Sequence, residues 1–265
     1  MKKVVSFCLW GTNPHYLDGA IRALATAREF YPDWEYWFYL AEDVPGAVVA
    51  ELANQGAKVI RMNRADSQGA SVSKTQYLPA FWRFLPASDP GVEILIVRDV
   101  DSIITAREVA AVQEWLTSGL DFHIMRDHPK HEYPIMAGMW GGRARCLNDI
   151  AALISQWGRF DYYGCDQDFL GKVVYPRLRD SAWIHSECIE FPKEKPHRFP
   201  VDRAKDEFIG ASFTGDDRYE LQVRYLREWL ASGSPKVVRP LPWSLQAKAR
   251  SLMWRISKIW HFASR

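Results

Sequence analysis

Apolar residues recur with two periods along the first half of the chain, and the periods take turns. Val4–Trp10, Glu35–Leu40 and Lys58–Met62 are short apolar runs rich in β-branched and aromatic residues, and each predicts a strand. Between them the spacing lengthens to that of a helix. Asn13 followed by Pro14 marks a helix start, with Leu17, Ile21 and Leu24 on one face. A second helix runs over roughly 45–54 and stops at Gly56. After a polar loop from Asn63 to Ser73, "YLPAFWRFLP" reads as an aromatic helix leading into the run "EILIV". A helix over Arg107–Leu116, closed by Gly119, then leads to the strand "FHIMRD". This βαβα order predicts an α/β protein with a mainly parallel sheet and helices on both faces. The second half is less regular. It carries "MAGMWGG", a helix over Leu147–Trp157, another from Asp168, and strands near Ala182–His185 and Phe208–Phe213. One domain over 1–243 with an appended C-terminal element over 244–265 accounts for the whole pattern.

The end of one apolar run holds the first candidate chemistry. In "EILIVRDVDS", residues 93–102, four apolar residues drive into Asp99 and Asp101. In extended chain, residues i and i+2 project to one side, so the two carboxylates can converge. Like charges so placed repel unless a cation sits between them, and a hard divalent ion such as Mg²⁺ or Mn²⁺ suits oxygen ligands beside phosphate. The competing reading has one Asp capping the helix near Arg107 and the other solvated. Open α/β sheets bind ligands outside the carboxyl ends of their strands, where this pair falls.

Composition narrows the classes. Of 265 residues, 25% are charged and 48% hydrophobic, as in an ordinary globular protein with a large core. A net charge of +2 gives no footprint for a nucleic-acid partner. The cysteines Cys8, Cys146, Cys165 and Cys188 lack metal-ligand spacing, and Cys8 lies in an apolar strand, so reduced core thiols in a cytoplasmic protein are expected. The basic start "MKK" precedes too short an apolar run for a signal peptide or a membrane span. No Gly-x-Gly-x-x-Gly follows the first strand and no Gly-rich loop ends in Lys-Ser/Thr, which removes the main support for dehydrogenase and phosphate-loop readings.

Taken in order, the motifs resemble those of GT-A-type glycosyltransferases, and distantly those of the glycogenin and lipopolysaccharide-galactosyltransferase family. Asp99-Val100-Asp101 matches the Asp-x-Asp that ends a hydrophobic strand, and Phe81-Trp82-Arg83 matches an aromatic-x-Arg segment upstream of it. "MAGMWGGR" is similar to the family's small-residue turn, and Asp166-Gln167-Asp168-Phe169-Leu170 to its Asp-Gln-Asp with an apolar pair. Three features depart from the pattern. Met136 stands where an Asn precedes the turn, Ser212 replaces the His that is the last metal ligand, and "WGTNPHY" lacks the Asp that meets the nucleobase.

The resemblance implies a metal-dependent transfer of sugar from a nucleoside-diphosphate sugar, with a UDP-sugar the expected donor, to a glycan or lipid-linked acceptor. Asp99 and Asp101 would hold Mn²⁺ or Mg²⁺. Arg83, Asp99, Trp10, Gly138 and His128 would line the substrate site, and Asp166, Gln167 and Asp168 would do the chemistry. Each has a plainer reading: Arg83 as a salt-bridged helix residue, Asp166 and Asp168 as helix caps, and Trp10, Tyr16 and Trp140 as core. His128 and His131, in "HIMRDHPKHEYP", could replace the missing metal ligand or simply hydrogen-bond in a loop. The rival functions are a sugar-nucleotidyltransferase, for which "WGTNPHYLDG" lacks a Gly-rich basic loop, and a catalytically silent binding protein. Finally, "SLQAKARSLMWRISKIWHFA", residues 244–263, places Leu245, Leu252, Ile256 and Ile259 on one helical face beside Lys248, Arg250, Arg255 and Lys258. That pattern suits peripheral binding to an anionic membrane on its inner face, or docking on the protein's own core.

Overall fold

The computed structural model describes residues 1–64, 75–213, 217–234 and 236–238. The amphipathic segment over 244–263 lies outside them, as does the boundary at 243. The strands are β1 (Lys2–Leu9), β2 (Glu35–Ala41), β3 (Lys58–Met62), β4 (Val92–Arg98), β5 (Phe122–Arg126), β6 (Met139–Arg143), β7 (Ala182–Ser186), β8 (Ile189–Glu190) and β9 (Lys236–Val237). The helices are α1 (Pro14–Phe30), α2 (Gly46–Asn54), α3 (Pro79–Trp82), α4 (Ala106–Ser118), α5 (Ile150–Trp157), α6 (Cys165–Phe169), α7 (Tyr175–Leu178) and α8 (Asp217–Ser232). A π-helical stretch, Leu170–Val174, joins α6 to α7.

Seven strands form one sheet in the order β3-β2-β1-β4-β6-β5-β7, and β8 and β9 pair separately. Every neighbouring pair in the large sheet is parallel except β4–β6 and β5–β6. The alternation along β1 shows why both faces are covered. Val5, Phe7 and Leu9 join one core with α1, α2 and α4, while Val4 and Cys8 join the other with α3, α5 and α6.

Helix starts follow local chemistry. The Asn13 side chain accepts the His15 N–H at the head of α1, with Pro14 in the first turn. Thr105, not an aspartate, caps α4. The aromatic segment is helical only over α3, because Pro86 turns the chain into a 3₁₀ turn at Leu85–Ser88.

The less regular second half resolves differently at two places. "MAGMWGG" turns at Ala137 and Gly138, as the resemblance implies, and then supplies β6, an antiparallel strand in the middle of the sheet. Its glycines hide it from strand propensity, yet a Cβ on Gly141 would stand 3.0 Å from Ile96 Cγ2 and from Trp115 Cζ3, so close packing demands glycine there. Phe208–Phe213 is not a strand. Its backbone pairs through a bridge between Ser102 and Ser212 and an Ile103 N–H donated to the Ala211 carbonyl at 3.1 Å, while Ile209 packs on Met125 and Met139 of β5 and β6. A buried ionic cluster holds this segment in place. Asp127, fully buried, accepts from Arg107 at 3.0 Å, from Arg203 at 2.6 Å and from the Ile209 N–H at 3.0 Å.

Candidate active site

The carboxyl ends of β1 and β4 open into a cleft of about 770 Å³. Its floor is built from three stretches distant in sequence. α3 is fixed by its rings: Phe81 lies edge-on to Phe160 at 5.0 Å and to Phe169 at 5.5 Å, and Phe84 is 5.5 Å from Trp140. With Phe81, Trp82 and Phe84 all buried, Arg83 is the polar residue of an apolar turn, and it faces the cleft. Its guanidinium forks between two carboxylates. Nη1 donates to Asp99 Oδ1 and Nη2 to Asp166 Oδ2, the latter at 2.9 Å. Burial works against the Arg83 charge and the Asp99 and Asp166 carboxylates outweigh it, so its pKa stands above the ordinary value. Burial also raises the Asp166 carboxyl above the usual carboxylate range, against the pull of Arg83.

β4 ends at Arg98, so Asp99, Val100 and Asp101 lie in a turn rather than in extended chain. The i, i+2 alternation invoked from sequence therefore does not set their geometry. Two glycines do. A Cβ on Gly138 would overlap the Asp99 carboxylate and stand 2.9 Å from its backbone nitrogen, so glycine is the seat on which Asp99 rests. A Cβ on Gly19 would come within 2.6 Å of the Val100 carbonyl oxygen, so glycine lets α1 pack against the same turn. Behind the turn, the buried Arg98 Nε donates to Glu108 Oε1 at 2.6 Å and its Nη1 to the Trp140 carbonyl at 3.1 Å, tying α4 and β6 together.

Asp101 faces Arg218 and His15. Arg218 Nη1 donates to its Oδ2 at 3.1 Å, and His15 Nε2 lies 3.7 Å from the same oxygen. Burial first, then the Asp99 charge, raises the Asp101 carboxyl above the usual range. Among the described residues, no three His, Cys, Asp or Glu side chains are arranged to hold a metal ion. The oxygen donors that share the cleft wall are Asp99, Asp101 and Ser212, the last with its Oγ buried without a hydrogen-bond partner. Two carboxylates and an orphaned hydroxyl fit a hard divalent cation whose remaining ligands are water and phosphate, and they do not make a closed protein cage.

The other expected residues divide. Gln167 lines the cleft and its N–H donates to Asp166 Oδ1 at 2.9 Å. Asp168 turns away into the core, bound to the Tyr162 hydroxyl at 3.0 Å and to Lys172 at 3.3 Å, so the chemical role expected for it is withdrawn. Trp10 lines the cleft, half-buried, while Trp140 is core. His128 also lines the cleft, but Nδ1 accepts the Lys130 N–H at 3.0 Å, which leaves Nε2 as the donor to the Gln222 carbonyl at 2.9 Å. Burial lowers its pKa to about 4. With both nitrogens committed it cannot ligate a metal, and His131 spends Nδ1 on the Asp127 N–H at 3.0 Å. All four cysteines are free, and burial raises the Cys8 thiol to about 12.

No protein-family model matches the chain, and no curated protein matches it in sequence. Solved structures do match. The galactosyltransferase LgtC, in complex with donor and acceptor sugar analogues, superposes with a TM-score of 0.52 at 15% identity, over 93% of this chain and 99% of that one. The fold is GT-A. An active-site mutant of LgtC gives a TM-score of 0.51 at 14% identity, over 87% of this chain and 95% of that one. A 4-diphosphocytidyl-2C-methyl-D-erythritol synthase from Anaerococcus prevotii gives 0.49 at 10% identity, over 85% of this chain and 98% of that one. At these identities the likeness to the two LgtC structures is one of fold.

Arg218 and Tyr163 are cleft residues that the sequence reading overlooked, as it did His15, which reaches Asp101 from the first turn of α1 without lining the cleft. His15 carried a signal, sitting in the first turn of a helix that follows the first strand. Arg218 and Tyr163 carried none: one opens α8, and the other stands in a loop before an acidic segment.

Proposed function

We propose that the chain is a metal-dependent glycosyltransferase that moves a sugar from a nucleoside-diphosphate sugar to a glycan or lipid-linked acceptor. The observation that carries this is the Arg83 fork joining Asp99 and Asp166 on the floor of the cleft. It brings the turn after β4 and the start of α6 to one point where a sugar and its diphosphate can lie together.

In the reaction, the bond between the anomeric carbon and the diphosphate oxygen breaks and a bond to an acceptor oxygen forms, while the acceptor hydroxyl gives up its proton. Asp99 and Asp101 would hold Mg²⁺ or Mn²⁺, whose Lewis acidity offsets charge on the leaving diphosphate. Arg218 is half exposed and lines the cleft beside Asp101, so it can swing from that carboxylate to meet the diphosphate. Arg83 positions rather than reacts, since it locks Asp99 and Asp166 in register. Asp166 is the carboxylate that meets the sugar, with Gln167 beside it. The anomeric configuration of the product assigns its role: inversion makes it the base on the acceptor hydroxyl, and retention makes it a ligand of sugar hydroxyls.

A route to a lipid-linked acceptor is supplied by residues 244–263, whose sequence pairs an apolar stripe with Lys and Arg, each worth about 1 kcal/mol at an anionic surface. No helix among the described residues is long and apolar enough to cross a membrane.

The test is release of nucleoside diphosphate from a panel of nucleotide sugars with Mn²⁺ and with chelator. The expected result is metal-dependent release with at least one donor. Formation of pyrophosphate from a nucleoside triphosphate and a sugar 1-phosphate would overturn the assignment in favour of nucleotidyl transfer.

A further inference from the structure

Tyr163 is 70% exposed, and it is the only aromatic among the large hydrophobic residues left exposed in the described chain. It lines the cleft beside Gly164, Asp166 and Gln167. An aromatic ring left in water forgoes the burial that usually places it inside, so a fixed and exposed ring at the mouth of a polar cleft needs an occupant.

The ring is fixed by its neighbours. Tyr162 points down, its hydroxyl bound to the buried Asp168 at 3.0 Å. Gly164 takes the left-handed conformation, φ +81°, and its carbonyl accepts the Asp168 N–H at 3.0 Å, starting α6. The turn between an anchored Tyr162 and an anchored helix therefore presents Tyr163 to the cleft. Tyr77 meets it edge-on, with ring centres 6.2 Å apart and planes at 76°, which orients the ring. Tyr77 is itself tied down through its N–H to the Phe160 carbonyl at 2.8 Å.

We propose that Tyr163 is the platform for the acceptor, a neutral pyranose that lays its C–H face on the ring and turns its hydroxyl edge toward Asp166. The pairing follows from the chemistry of a sugar, which has one apolar face and a polar rim, and needs an aromatic and a carboxylate within one ring width of each other. On the reading above the donor's diphosphate lies at Asp99, Asp101 and Arg218; the Tyr163 hydroxyl is close enough to feel the Asp99 and Arg218 charges, so the ring borders that site, and being more exposed than any of the three it is left for the substrate that enters second. This inference rests on the glycosyltransferase reading and adds a substrate class and a specificity-determining residue to it.

The test uses the full chain with saturating nucleoside diphosphate and Mg²⁺, and methyl β-D-glucoside, galactoside and mannoside as probes, read by saturation-transfer NMR. At least one pyranoside should receive saturation from aromatic protons in the wild type. Tyr163→Ala should weaken that binding at least tenfold, and Tyr163→Phe should keep it, because the ring face and not the hydroxyl makes the contact. The dissociation constant of the nucleoside diphosphate should stay within twofold in both variants, which also shows that they fold. Pyranoside binding unchanged in Tyr163→Ala, or no pyranoside bound by the wild type, would overturn the proposal. A tenfold loss of nucleotide affinity in Tyr163→Ala would overturn it too, by making the ring a base platform. Failure of the wild type to bind any nucleoside diphosphate would instead strike the underlying glycosyltransferase reading.

Discussion

Replacing Arg83 by Met keeps the length and apolar stem of the side chain and removes the fork, leaving Asp166 almost wholly buried with no counter-ion. Breaking a buried ion pair by removing one partner costs about 3–5 kcal/mol. Asp99 contributes little to that cost, since its side chain is 43% exposed and water can solvate it. The penalty has an escape: Asp166 can take up a proton. Burial already raises this carboxyl, and loss of the largest opposing influence, Arg83, raises it further. A carboxyl whose folded pKa lies above its unfolded value binds more protons when folded. Its folded state is therefore favoured at low pH, and stability is lost as pH rises through the folded pKa, by about 1.4 kcal/mol per unit inside that window. Urea unfolding followed by Trp fluorescence should give a destabilisation of about 3 kcal/mol or more at pH 8, shrinking clearly at pH 5. The double variant with Asp166→Asn should be more stable than Arg83→Met alone at pH 8. Equal destabilisation at both pH values, or no rescue by Asp166→Asn, would refute the argument.

The remaining predictions follow from the same geometry. Gly138→Ala should abolish nucleotide-sugar turnover by displacing Asp99, with far-UV circular dichroism unchanged; near-wild-type turnover would show that Asp99 need not rest on residue 138. Asp127→Ala leaves Arg107 and Arg203 sharing Glu187 alone and takes the acceptor from the buried Ile209 N–H, and should cost about 3 kcal/mol in urea unfolding, against less than about 1 for an exposed pair such as Arg177–Asp149. His128, held near a pKa of about 4 and titrating near 6.5 when unfolded, takes up its proton mainly in the unfolded state between those values. Stability should therefore fall as pH drops from 6.5 toward 4, and His128→Gln should flatten that slope. Chain ending at Trp243 should lose binding to anionic vesicles while keeping nucleotide affinity; if it unfolds instead, the segment beyond 243 belongs to the core.

Much of the architecture was legible because β1, β2 and β4 are buried on both faces and α1 and α4 carry side-chain caps. β1 to β4 and α1, α2 and α4 could be read from runs such as "EILIV" and from Asn13-Pro14 and Gly119. β6 could not, because Gly141 and Gly142 are placed by what packs on them and not by strand propensity. Phe208–Phe213 misled for the opposite reason, being apolar for burial while its backbone is held by Asp127 and one bridge. In the site, Arg83, Asp99, Asp101, Asp166 and Gln167 were readable as an ordered set of motifs and do share one cleft. Asp168 looked equivalent to Asp166, but on a helix start two residues apart they point to different sides, one to the cleft and one to the core. Arg218 and Tyr163 reach the cleft only through tertiary placement, which no local spacing records.

The central claim is that Asp99 and Asp101 prepare this cleft for a metal-bound nucleoside diphosphate. Calorimetry of a nucleoside diphosphate with the full chain, with and without Mn²⁺, tests it most directly when repeated on Asp101→Ala. The expected result is binding that needs Mn²⁺ in the wild type and is lost in the variant at unchanged thermal stability. Equal binding by both proteins, or binding indifferent to Mn²⁺, would contradict it.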